Sequence, residues 1–239
     1  MLRPGWSIAL LLLGVAGLVA FVARDRRAAH PLVPPALFAT RNFSAGNAAT
    51  FFVYGGLGIG FLVPGLYLQQ VLRLPATTAA LVGLPATVLL ILLSGRFGAL
   101  SGRIGPRLFM TAGPLVAAAG ALVWILTGLG AGQVVLVAVG TVVIGLGLAI
   151  TVAPLTAAVL GAVPETESGI GSAVNNAVAR VAGLITTACA GLVLGGAVST
   201  AGFIRAAVVS ALLLAIGGAV SFAGIRNATP APSADPAGS

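Results

Sequence analysis

The 239-residue chain is 59% hydrophobic and only 7% charged, with a mean hydropathy of +1.13 and a net charge of +8. An average soluble domain carries about 25% charged residues, and large exposed apolar patches drive association in water, so a water-soluble domain is excluded. The basic balance does not point to nucleic acid either, because the twelve arginines lie singly or in small groups between apolar runs instead of on one solvated face.

A helix needs about 20 apolar residues to cross the hydrocarbon core. Seven such segments are predicted: Trp6–Ala23, Ala45–Leu68, Thr77–Ser94, Leu108–Gly128, Gln133–Leu155, Ala177–Val198 and Phe203–Ala223. Their continuous apolarity points to helices, since barrel strands alternate over about 10 residues. The expected fold class is therefore all-α integral membrane. The first segment also has the outline of a secretory leader, with Arg3 as its charged start and Ser7–Ala23 as its apolar stretch. The arginines that follow it favour a retained span. Residues 1–44 are then one extra helix plus a linker, 45–225 a six-helix unit, and 226–239 a Pro/Ala/Ser tail too polar to bury a core.

Charge placement predicts the orientation. With the N-terminus outside, Arg24, Arg26, Arg27, Arg41, Arg96, Arg103, Arg107, Arg180 and Arg226 fall on the cytoplasmic side, and only Arg3, Arg73 and Arg205 fall outside. That bias obeys the positive-inside rule and places a multi-pass protein in the cell membrane with its C-terminus cytoplasmic.

Other features follow in chain order. Pro64, Pro85, Pro114 and Pro154 fall within spans, where each removes a backbone hydrogen bond and bends the helix. Gly56-x-x-x-Gly60 and Gly191-x-x-x-Gly195 are expected faces for close helix packing. Trp6 and Trp124 are expected at the interface or against lipid, and Tyr67 and Gln69 near the outer interface, where aromatic belts form.

The turn between the third and fourth spans reads SGRFGALSGRIGPRLF, residues 94 to 109. It resembles the signature loop of the major facilitator superfamily, usually written G-x-L-a-D-R-x-G-r-k. Gly98, Leu100, Arg103, Gly105 and Arg107 match; Gly102 stands where the family has aspartate, and Pro106 where a basic residue is common. In that family the loop joins the second and third helices of each six-helix half on the cytoplasmic side, and here it joins the second and third of the last six spans. HPLVPPALFATRNFSAGNAATFFVYGGL looks like the opening of that half, and LYLQQVLRLPATTAALVGLPA like its first exterior turn. GLGLAITVAPLTAAVLGAVPETESGIGSAVNNAVARVAG looks like its fifth helix, loop and sixth-helix start in the fourteen-helix drug:proton antiporter branch.

The resemblance implies the carboxyl half of a secondary active transporter, with the first span as an extra helix of that branch. It implies proton-coupled efflux of hydrophobic or drug-like solutes, and partners that are the bilayer, the solute, the proton, and a separate amino-terminal half or a second copy. A fragment, a truncated reading frame or a two-chain carrier all fit. No counterpart of the first half is present. A non-transporting subunit or inert remnant is the competing expectation.

In this fold the pathway lies between the halves near the midplane. The expected pathway residues are Asn47, Thr50, Tyr54 and Gln69 of the second span and Asn176 and Arg180 of the sixth, with Asn175 and Asn176 also suited to interhelical bonding. Arg180 is expected a few residues inside its helix, where it can reach the headgroups. The four acids, Asp25, Glu165, Glu167 and Asp235, all lie in loops or the tail, so a proton carrier is expected in the other half. No span contains His, Asp, Glu or Lys, which argues against a membrane-embedded enzyme. His30 and Cys189 are isolated, so neither a metal site nor a disulfide is expected, and without a phosphate-binding G-x-x-x-x-G-K-[ST] loop no nucleotide cofactor is expected.

Overall fold

The computed structural model describes residues 32–227 and a few positions between 14 and 25. The expected span Trp6–Ala23 is not among the fully described residues, and the chain beyond Asn227 lies outside them. After one helical turn at Ala36–Ala39 come six long helices: α1 Arg41–Leu66, α2 Ala76–Ile104, α3 Pro106–Val123, α4 Gln133–Leu160, α5 Ser168–Leu194 and α6 Thr200–Gly224. With their terminal turns they run 24 to 31 residues, and each is long and apolar enough to cross a membrane.

Neighbours in space follow the order α5, α1, α6, α3, α4, α2, and α1 also touches α4. The two end members of this row are poorly covered. Only 11% of the α2 window and 17% of the α5 window are buried, against 44 to 56% for the other four.

A close approach joins α3 to α4. Gly113 and Gly120 on one helix meet Gly147 and Gly140 on the other: a Cβ on Gly120 would lie 2.7 Å from the Gly140 carbonyl oxygen, and one on Gly147 would lie 2.5 Å from the Ala117 nitrogen. Both pairs are spaced by seven, so the glycines form a seam along antiparallel helices. Of the two expected glycine faces, Gly56 packs on α6 with Ser210 O 3.1 Å from its would-be Cβ. Gly191 faces open space, and Gly195 ends α5 at φ 77°. That motif is a helix stop.

All four prolines lie inside helices. Beyond Pro64, α1 widens into a π-turn at Tyr67–Val71.

The aromatic expectations change. Trp124 is 1% exposed and donates from Nε1 to the Val137 carbonyl at 3.1 Å. Gly140 makes the space for this indole, since any Cβ there would strike its ring. Tyr67 is also fully buried, stacked on Phe203 at 4.2 Å with its hydroxyl 3.4 Å from Thr200 Oγ1. These rings form core, because their polar tips find partners within the fold.

Candidate functional site

The helix that carries the site begins earlier than its hydropathy implies. α5 starts at Ser168, preceded by a 3₁₀ turn with Glu165 and Glu167, where acidic groups favour the positive end of a helix dipole. Arg180 therefore sits about 18 Å along α5 at 1.5 Å per residue, at mid-helix. At that depth an arginine facing lipid costs about 2.5–3.5 kcal/mol. The structure gives it a cavity instead.

Two stripes face each other across that cavity. α1 contributes Tyr54, Leu57, Gly58 and Phe61; α5 contributes Ser172, Asn175, Asn176, Ala179, Arg180, Gly183 and Leu184. The spacing of three and four in both sets keeps each on one helix face. Thr156 of α4 completes the wall, and the volume is about 610 Å³, within the range of small-molecule sites. The helices cross where Gly58 meets Gly183, with a Cβ on Gly58 only 3.1 Å from the Gly183 carbonyl oxygen.

Asn175 ties the two stripes together. Its Nδ2 donates to Thr50 Oγ1 at 2.8 Å and to Asn47 Oδ1 at 3.2 Å. Thr50 Oγ1 donates onward to the Gly46 carbonyl and Asn47 Nδ2 to the Phe43 carbonyl. Asn47 and Thr50 are buried, so they brace α5 against α1 behind the cavity wall. Such membrane hydrogen bonds contribute roughly 0.6–2 kcal/mol each. Of the six expected pathway residues, the structure gathers Tyr54, Asn176 and Arg180 around one cavity and puts Asn47 and Thr50 beneath it. Gln69 goes elsewhere: it bonds the Gly65 carbonyl and lines a second cavity of about 410 Å³ between α1, α2 and α4. Ser172 and Thr156 are wall residues that sequence reasoning missed, although Ser172 shares the helical spacing of Asn176 and Arg180.

The signature turn is tighter than its sequence implies. α2 remains helical through Arg96 and Arg103 to Ile104, and the chain reverses at Gly105, whose φ of 100° suits glycine, before Pro106 starts α3. Gly98 lets α2 approach α4, its would-be Cβ 3.1 Å from Ala153 Cβ. Arg107 donates from Nε to the Phe222 carbonyl at 2.9 Å and from its backbone N–H to Asn227 Oδ1 at 3.2 Å. Arg103 is exposed in the last turn of α2, where a cation favours the dipole.

Arg41 joins Arg107 at the α6 terminus, donating to the carbonyls of Ala223 at 2.7 Å and Gly224 at 3.0 Å. Asn42 and Arg226 exchange two hydrogen bonds of 2.9 Å. Two arginines thus satisfy the final carbonyls that every helix leaves open. Asn227, expected in the tail, is part of this clasp.

Among the described residues no cluster of His, Cys, Asp or Glu is suited to a metal, and no acidic side chain lines the main cavity. What the arrangement offers is one fixed positive charge, hydrogen-bonding groups and apolar walls.

Comparison with known proteins adds the family. Residues 1–187 match the profile of the Major Facilitator Superfamily. The chain is 31% identical over 203 residues to a probable actinorhodin transporter of Streptomyces coelicolor, covering 81% of this chain and 35% of that protein. It is 29% identical over 198 residues to the multidrug resistance protein Stp of Mycobacterium tuberculosis, covering 80% and 36%. It is 32% identical over 183 residues to the multidrug export protein EmrB of Haemophilus influenzae, covering 75% and 35%. The chain thus spans about a third of the length of the curated relatives it matches.

Proposed function

The chain belongs to the major facilitator superfamily, and we propose that its six described helices act as the carboxyl lobe of a secondary transporter. In this reading it exports small, largely apolar solutes by alternating access, with the α1–α5 cavity as its share of the pathway. The supporting observation is the uneven cover of the helices. The main cavity is bounded by α1 and α5, the second cavity by α1 and α2, and the two least buried helices are α5 and α2. A second lobe laid on these helices would cover their apolar faces and close a midplane pathway. That lobe is either further protein of the same kind or a second copy of this chain.

Proton coupling, in this reading, resides on the second lobe, because the lining of neither cavity holds a carboxylate or histidine. The arginine-rich ends of the helices face the cytoplasm. The test is efflux of fluorescent solutes of each charge, a dansylated anion, its neutral ester and the cation ethidium, from cells that co-express the chain with the amino-terminal half of a matched relative. Export that requires both pieces and stops when the proton gradient is collapsed supports the proposal. Absence of export with any partner half would favour a non-transporting subunit.

A further inference from the structure

We infer that the cavity between α1 and α5 selects amphiphilic molecules bearing an anionic group, a carboxylate above all, with Arg180 as its partner. The inference rests on the cavity being a solute site, and it names the class of solute. Arg180 is the one charged side chain in the lining, and no acidic residue there neutralises it. It lies at the middle of α5, within an apolar span, where a charge gains from a counter-ion held in place.

The neighbours suit such a ligand. Asn176, one turn before Arg180 on the same face, and the Tyr54 hydroxyl from the facing helix supply donors for a second oxygen. Asn175 does not, because both amide hydrogens are committed to Asn47 and Thr50. Leu57, Phe61 and Leu184 form the apolar part of the wall, so the polar end of a ligand has one place to go and its hydrocarbon part another. A cationic solute of the same shape would meet Arg180 with like charge.

Three fluorescent probes sharing one dansyl group test the assignment: dansylglycine, its methyl ester, and dansylcadaverine, which are anionic, neutral and cationic. Binding is measured to the full chain in phosphatidylcholine nanodiscs, with empty discs subtracting partition into lipid. Dansylglycine is expected to bind at least about tenfold more tightly than the ester, and Arg180→Gln is expected to abolish that preference by lowering dansylglycine binding to the level of the ester. Arg180→Lys, which retains the charge, is expected to keep most of it, and Asn176→Ala to reduce it.

Equal binding of the three probes by the wild-type chain, or an equal loss of all three in Arg180→Gln, overturns the inference. So does failure of the wild-type chain to bind dansylglycine, in which case efflux of a neutral or cationic solute by the assembled carrier would leave the transport proposal standing. Repeating the measurement with phosphatidylglycerol in the discs separates the sources of the anion. Persistence of the dansylglycine signal assigns the site to a solute, and its displacement assigns it to a lipid headgroup.

Discussion

Arg107 grips Phe222 twice: its Nε donates to the Phe222 carbonyl at 2.9 Å, and its guanidinium carbon lies 4.6 Å from the centre of the Phe222 ring. One side chain from the start of α3 thereby holds both the backbone and the side chain of the last turn of α6. The arginine-rich turn owes part of its composition to this clasp, which positive-inside sorting alone does not require.

Replacing Arg107 by alanine should destabilise the bundle by about 1–3 kcal/mol, from one charge-assisted hydrogen bond and one cation–π contact. Arg107→Lys should recover less than half of that loss, because an ammonium lacks the planar fork that donates and stacks together. Phe222→Leu should cost only the ring contact. Thermal unfolding in detergent, followed by loss of the monodisperse elution peak, ranks the three. Equal midpoints for Arg107→Ala and the wild type would remove the clasp from the account.

Asn175→Ala leaves Thr50 without its donor and frees one acceptor on Asn47, both on buried residues. The expected loss is about 1–2 kcal/mol, with greater mobility of α5 against α1. Asn175→Asp should be at least as damaging, because it replaces the donating amide with a carboxylate aimed at two oxygens. A cysteine pair at positions 50 and 175, in a chain with Cys189 changed to serine, should cross-link readily under mild oxidation. Absence of a cross-link would show that the helices do not meet there.

The glycine seam makes a positional prediction. Gly120→Leu and Gly147→Leu force a side chain into backbone contacts under 3 Å and should cost at least 1–3 kcal/mol, roughly the scale of overpacked cores. Gly83→Ala and Gly191→Ala meet nothing within 4 Å and should be neutral or stabilising by up to about 1 kcal/mol through helix propensity. The same unfolding measurement compares all four. A penalty for Gly191→Ala as large as that for Gly147→Leu would contradict the packing described.

Much of this fold was legible because a membrane helix announces itself by continuous apolarity, and every described span overlaps the segment expected for it. Boundaries were least legible where small and polar residues face a cavity. The stretch from Ser168 to Asn176 has the composition of a loop, yet it is helical: Ser172, Asn175 and Asn176 turn toward α1, and Gly171 packs close to Phe43 and Val163. That shift moved Arg180 from the helix end to its middle. The placement of Trp124 was illegible for a related reason: whether an indole anchors at an interface or enters the core depends on Gly140, sixteen positions away and on another helix. The seam of Gly113, Gly120, Gly140 and Gly147 was present in the sequence at a spacing of seven, but a search for pairs four apart passes over it.

The most direct test of the account is a cysteine scan along residues 172 to 184 of α5 in the assembled membrane protein, with Cys189 changed to serine and a water-soluble thiol reagent as the probe. The stripe that faces α1 predicts rapid modification at Ser172, Asn176, Ala179, Arg180 and Gly183, slow modification at positions 173, 174, 177, 178, 181 and 182, and protection of the reactive set by a transported solute. Uniform reactivity along the helix, or protection at positions outside the stripe, would contradict the claim that this cavity is the solute pathway.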